Sequence, residues 1–467
     1  MKKNTSVDLG SGNVRKLLFS LALPTITSQI VNMLYNVVDR IYIGHMQPAE
    51  TIGKLALTGV GVCMPVIMLI AAFSALLAMG GAPRASIQEG RGNPVEAERI
   101  MGNSLSLLLI SALVLTLVFQ LFAEPLLLTF GASENTLPYA MSYMRIYSLG
   151  SVFVLLTLGM NAYITAQGFT SVSMKTVLIG AGLNTVLDPV FIFLFDLGVQ
   201  GAALATVISQ AVSALWVLRF LTGPQTKWHL RKANLRPVPA VFLPCLALGL
   251  SPFIMQSTES LISACFNASL LKYGGDTAVG SMTILSSIMQ FILMPLMGLS
   301  QGAQPVVSYN FGARKAQRVR EAFRCLLISC VTFSMTLWAL AMLFPRLFVM
   351  LFNTDPQLVE YACWALRIYL AGIGIFGIQI ACQQTFIALG NAKTSLFLAI
   401  LRKIILLVPM IYILPMFFAD KAFAVFLAEP VADILAVIST SLLFSRQFKR
   451  SMAELEQPQQ NQKHRFV

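Results

Sequence analysis

Twelve apolar runs, at 17–43, 53–80, 97–122, 135–167, 171–194, 201–221, 240–271, 277–305, 317–343, 357–389, 393–416 and 421–445, occupy most of the 467-residue chain. Crossing about 30 Å of hydrocarbon as a helix takes roughly 20 residues, and each run meets that length. A backbone in lipid must satisfy its own N–H and C=O groups, so only helices and closed barrels span. Barrel strands alternate apolar and polar residues over about 10 positions, and these runs do not. With 56% hydrophobic and 11% charged residues, no soluble core could hide so much apolar surface. The expected fold is an all-α, multi-pass membrane protein of twelve transmembrane helices.

The first run has a basic head, "MKKNTSVDLGSGNVRKLLFSLALP", like a signal peptide. Its apolar part continues to Gly44 without a small-residue cleavage site, which predicts an uncleaved first helix. The seven cysteines are scattered and show no CxxC or Cys/His spacing, so neither a disulfide framework nor a metal site is expected. Of the 33 Lys and Arg, 26 fall at or near one set of helix ends, and seven (Arg40, Lys54, Arg145, Lys272, Arg346, Arg367, Lys421) at the other. Positive charge stays on the cytoplasmic side, so both termini are expected inside. The net charge of +13 is then read as topology and contact with anionic lipid, not nucleic-acid binding. The tail 451–467, "SMAELEQPQQNQKHRFV", is polar and is expected to be loose.

The chain repeats itself. Arg145-Ile146-Tyr147 matches Arg367-Ile368-Tyr369 at a separation of 222 residues, and the same separation relates Gly80, Pro83, Ser86 and Gly90 to Gly302, Pro305, Ser308 and Gly312. Ala166 and Gly168 pair with Ala388 and Gly390 in the same way. Each half holds six helices, an even number, so the copies enter the membrane from the same side and are related by a pseudo-two-fold axis along its normal. The expected organisation is a cytoplasmic N-terminus 1–16, an N-lobe 17–221, a basic linker 222–239, a C-lobe 240–445 and a polar cytoplasmic tail 446–467. Two such lobes enclose a central cavity that opens to either side as they rock, the layout of a secondary transporter.

These features, with "LALPTITSQIVNMLYNVVDRIYIG" in the first helix, resemble the multidrug and toxic compound extrusion (MATE) family over roughly residues 15 to 445, closest to its DinF-like and MepA-like branches. The resemblance implies a cation-coupled antiporter of the MOP superfamily. Such a protein exports small organic cations or amphipathic drugs in exchange for H+ or Na+ by alternating access. It needs no cofactor, and a monomer is expected. The alternative is a flippase of lipid-linked oligosaccharides or lipids from the same superfamily, whose members usually have additional helices and a strongly basic cavity.

Asp39 lies within the first apolar run, where an ionised carboxylate costs about 2.5–3.5 kcal/mol and usually faces a cavity with a partner. Counting depth at 1.5 Å per residue places Asp39, Asp188, Thr206 and Tyr143 roughly 6–15 Å from the outer surface, with Asn184 one turn from Asp188 on the same face. Two carboxylates in one poorly solvated pocket repel and lose hydration, so they take up protons as a unit. Carboxylate, amide and hydroxyl oxygens (Asp39, Asn184, Asp188, Thr206) also suit Na+. The resemblance adds Tyr35, paired with Asp39 as Tyr-x-x-x-Asp, and Asn161, which by depth lies nearer the cytoplasm. The alternative is that both acids merely cap or bond neighbouring helices. Pro24, fifteen residues before Asp39, removes one helical hydrogen bond and predicts a kink. Either the kink is static or its bend answers cation uptake.

The second half carries Glu259, Arg402, Lys403, Glu429 and Asp433 in its seventh, eleventh and twelfth runs, at depths that allow them to meet. Glu259 resembles the seventh-helix glutamate of the NorM-like branch, but the tenth run offers Gln379, Gln383 and Gln384 in place of that branch's aspartate. A fixed ion-pair network and a role in binding cationic substrate or a second proton are both open. The 22 Met and 31 Phe suit a promiscuous cavity, although most must pack helices or face lipid. Gly59-Val60-Gly61 follows no strand and is no dinucleotide loop. Without an ATP-binding loop or a Ser/His/Asp grouping, an enzyme is not expected.

Overall fold

The structure, a computed structural model, describes residues 7–46 and 52–457. Its spans in chain order are α1 (Val14–Gly44), α2 (Lys54–Gly90), α3 (Pro94–Leu121), α4 (Leu137–Leu149 with Ser151–Ala166), α5 (Thr170–Leu194) and α6 (Gly198–Thr222). A helical stretch of 74 residues, Pro239–Gly312, follows. Run straight it would measure about 110 Å, far more than one crossing, and Gly275, with φ 65 and ψ −163, breaks it. It therefore supplies α7 (239–274) and α8 (276–312). The last four spans are α9 (Ala316–Leu343), α10 (Pro356–Tyr369 with Ile373–Ala388), α11 (Ala392–Met416) and α12 (Lys421–Glu456). All twelve coincide with the apolar runs.

Local chemistry sets many of the boundaries. The side chains of Asn13, Asn93, Asp355, Asn391 and Asp420 each accept a backbone N–H of the following first turn, which supplies partners for helix N-termini that would otherwise lack them. The duplication is visible in three dimensions. Spans α4 and α10 are bent by 54° and 49° around Gly150 and Gly372, which are 222 residues apart. The apolar core falls into two main clusters, one between Ile43 and Cys245 and the other centred on 262–432. The second takes in Leu18 and Ala22 from α1.

The halves meet through backbone. A Cβ on Gly90 would collide with the carbonyl oxygen of Tyr309, and one on Gly312 with that of Ile87. Positions 87 and 309, like 90 and 312, are 222 apart, so these two contacts are copies of each other across the pseudo-two-fold axis. Only glycine lets α2 and α8 approach so closely. Gly298 and Gly302 receive α1 at Ile26 and Ala22 in the same manner.

One expectation needs correcting. The segment after 450 is not loose where it is described: α12 continues to Glu456, with Met452 fully buried. The Arg314 guanidinium donates to the carbonyls of Glu454, Leu455 and Gln457, and Arg320 pairs with Glu456 at 2.5 Å. The polar composition is correctly read, but a partner 140 residues away caps these carbonyls. Arg318 on the same turn holds the carbonyls of Ser11 and Gly12, so both described chain ends lie on one face. Residues 1–6 and 458–467 of the expected terminal segments lie outside the described residues.

Candidate functional site

Four helices of the first half each present two polar side chains one turn apart: Tyr35 and Asp39 from α1, Tyr143 and Tyr147 from α4, Asn184 and Asp188 from α5, Thr206 and Gln210 from α6. Spacing of i, i+4 puts each pair on one helix face, and the four faces converge. Asp39, Tyr143, Asn184, Asp188 and Thr206 are all buried. The Asn184 Nδ2 donates to Asp188 Oδ1 at 3.1 Å and to Thr206 Oγ1 at 3.3 Å. Asp39 and Asp188 are neighbours, each acting directly on the other's carboxyl. Tyr35 lies beside both acids and Gln210, and Tyr143 stacks on Tyr147 with ring centroids 5.7 Å apart.

Several acceptor oxygens in the set have no donor. Asp39 Oδ1, Asp188 Oδ2 and Asn184 Oδ1 are buried without a hydrogen-bond partner, and buried polar atoms in that condition are rare and costly. Among the described residues neither carboxylate forms an ion pair with Lys or Arg. Arg40, adjacent in sequence, is exposed. Chemically the set fits either a proton held between two carboxyls or an alkali cation coordinated by carboxylate, amide and hydroxyl oxygens.

Local backbone supports the site. Pro189 follows Asp188 and cannot donate to the helix, and the next residues, Val190–Leu194, widen into a π-helical turn. Such turns recur at functional sites because they re-aim side chains. Pro24 sits inside an α1 that is unbroken from Val14 to Gly44. Around it the Thr25 hydroxyl donates to Gly298 O of α8 at 2.6 Å and Ser28 to Pro24 O at 2.8 Å. Asn161 is not brought to the pocket. Its amide donates to Ser173 O at 3.3 Å, and Ser173 is fifteen residues, or about 22 Å of helix, from Asp188. Tyr147 and Gln210 join the site without having been singled out from the sequence. The signal was present, since each lies four residues beyond a named site residue.

The second half gathers its charges differently. Another π-helical turn, Leu401–Leu407, carries Arg402 and Lys403 and sends these neighbours to separate partners. Arg402 reaches Asp433 at 2.8 Å and Glu429 at 3.0 Å, and its guanidinium lies 4.3 Å over the Phe376 ring. Lys403 Nζ reaches Glu259 Oε2 at 2.7 Å. Four of the five are buried, whereas Glu259 keeps 47% of its side-chain surface accessible although it sits midway along α7. Tyr369, the repeat partner of Tyr147, stands beside Glu429, Glu259 and Asp433. The expected meeting of these residues is what the structure contains, resolved into a triad and a pair.

Comparison with known proteins agrees with this architecture. A family model, MatE, matches residues 24–190 and 252–413. The chain is 25% identical over 448 residues to the multidrug export protein MepA of Staphylococcus haemolyticus, covering 95% of this chain and 97% of that one. It is 33% identical to the MATE multidrug transporter DinF-BH, solved as a complex with a ligand, with a TM-score of 0.88 over 96% of this chain and 98% of that one. An outward-facing MATE structure of the MOP superfamily, at 23% identity, shares the fold with a TM-score of 0.88 over 97% of this chain and the whole of the other.

Proposed function

The chain belongs to the MatE family, and from that premise we propose that it is a secondary multidrug exporter, not an enzyme, that trades inward H+ or Na+ for outward organic cations or amphipathic drugs. One observation carries the coupling: Asp39 and Asp188 face each other in a buried pocket with orphaned oxygens and no ion-paired cation. Two negative charges so placed cannot both persist without a counter-charge. Proton or sodium uptake therefore changes the energy of the pocket by several kcal/mol, enough to select between packings of four helices. Through α1 the signal reaches the other half, because Thr25 and Gln29, on either side of Ile26, bond Gly298 and Gln301 of α8. Bending near Pro24 is the proposed link between pocket and lobes.

The charge distribution supports a cytoplasmic location for both termini. The inward cation then gains about 2.3 kcal/mol per 100 mV of potential, so at 100 mV one or two cations support an outward gradient of a neutral drug of roughly 50- to 2,000-fold. The ligand complex of DinF-BH, a multidrug transporter 33% identical to this chain, supports substrates of the drug class. Of the two coupling ions, the shared-carboxyl geometry accommodates a proton with the fewest ligands. Asn184 and Thr206 are the extra donors of oxygen that sodium would use. Uptake of a fluorescent drug into inverted vesicles under imposed pH or sodium gradients tests the proposal. Uptake driven by either gradient and lost in Asp39→Asn supports it, and uptake indifferent to both gradients rejects it.

A further inference from the structure

The duplication supplies an internal control for a second site, at the far end of the C-lobe. A cavity of about 610 Å³ opens where α9 ends and α10 begins, walled by Phe344, Leu347, Trp364 and Ile368 and flanked by Arg346 and Arg367. It lies one α9 length, about 42 Å, from the turn that holds both described chain ends. That distance puts it at the opposite membrane boundary. Tryptophan and arginine at such a level commonly meet headgroups.

The charges are the unusual part. Both guanidiniums lie close to Cys363 and are exposed, and among the described residues neither forms an ion pair. Glu360, also on the rim, pairs with neither. Shifted back by 222 positions, Arg367 corresponds to Arg145 but Arg346 corresponds to Glu124. The N-lobe thus sets one acid and one base at these two positions, and the C-lobe sets two bases there beside an apolar cavity, with Glu360 on its rim pairing with neither and a net positive charge left over. Like charges placed together are unfavourable unless an anion joins them, and a guanidinium pair matches a phosphate oxygen fork.

We propose that this corner binds an anionic phospholipid of the leaflet opposite the chain termini, its phosphate between Arg346 and Arg367 and an acyl chain against Phe344, Leu347 and Trp364. The apolar wall is what distinguishes a lipid from a soluble anion. Each arginine near a charged membrane surface contributes roughly fivefold in partitioning, so phosphatidylglycerol should be preferred over phosphatidylcholine by more than tenfold.

The test uses the full chain in nanodiscs holding acyl-brominated phosphatidylglycerol or phosphatidylcholine at equal mole fraction, with tryptophan quenching as the readout. Brominated phosphatidylglycerol should quench more. That excess should vanish in Trp364→Phe and in Arg346→Glu, which restores the N-lobe charge pattern, and should persist in Arg145→Gln. Arg346 is exposed, so Arg346→Glu should fold, and an unchanged elution profile checks it. Equal quenching by the two lipids in the wild type would overturn the proposal, as would an excess that survives Arg346→Glu. An excess abolished by millimolar inorganic phosphate would reassign the corner to a soluble anion and equally overturn it.

Discussion

The two lobes are copies in fold but differ in how their buried charges are paired. Within two turns of the ends of α1 and α5 the N-lobe holds Asp39 and Asp188 with amide, hydroxyl and phenol neighbours and, among the described residues, no ion-paired base, and four of the site's oxygens (on Asp39, Asn184, Asp188 and Gln210) lack partners. The C-lobe holds three acids against two bases, and every charged group there has a partner at 2.7–3.0 Å. A cluster in which every charged group is paired has little reason to change state, since breaking it strands a buried charge. An unbalanced pair changes state whenever a proton or cation arrives. On the proposed function, this difference puts the responsive part in the N-lobe pocket and makes the Arg402 triad a brace. In the same reading Glu259 is the exception, since about half of its side-chain surface is accessible while Lys403 holds it.

Substitutions can break that contrast, and the largest effect is expected at the acids. Asp188→Asn keeps the shape and removes the second charge, so drug resistance of expressing cells should fall to the level of cells without the protein, about 10- to 100-fold for good substrates. Its thermal stability should hold or rise, because a buried like-charge repulsion is relieved. Arg402→Ala should do the reverse, destabilising the protein by about 3–5 kcal/mol. Thermal denaturation in detergent would show it as a lowered midpoint. Replacing Arg402 by Met together with Glu429→Gln and Asp433→Asn should recover most of that loss, which a responsive C-lobe site would not allow without loss of transport.

Smaller changes sharpen the picture. Asn184→Ala removes the donor shared by Asp188 and Thr206, each such bond being worth about 0.5–1.5 kcal/mol. The coupling-ion concentration giving half-maximal transport should shift by roughly three- to tenfold, without loss of maximal rate. Phe376→Leu removes the ring beneath Arg402, a contact of about 0.5–2 kcal/mol. A slight fall in midpoint is expected, and none in an Arg402→Met background.

Much of this was legible in residues alone, for physical reasons. Lipid forbids irregular backbone, so hydropathy located all twelve spans, and duplication located the lobes. The pocket was legible because an aspartate in hydrocarbon must have company, and i, i+4 spacing identified Asn184 with Asp188. The same spacing would have found Tyr147 and Gln210 had it been applied to α4 and α6. Asn161 shows the limit of resemblance, since its bond to Ser173 keeps it a long way from Asp188. The helical continuation to Glu456 could not be read locally, because its support comes from Arg314, Arg320 and the burial of Met452. Nor could the π-helical turns at Val190–Leu194 and Leu401–Leu407, which depend on how α5 and α11 pack and not on the propensity of five or seven residues.

Ion release on drug binding to the purified protein, followed with a pH indicator and a sodium electrode, tests the responsive N-lobe most directly. One drug should displace protons or sodium from the wild type and from Glu259→Gln, and displace neither from Asp39→Asn or Asp188→Asn. Undiminished release from a protein lacking both aspartates would contradict the account.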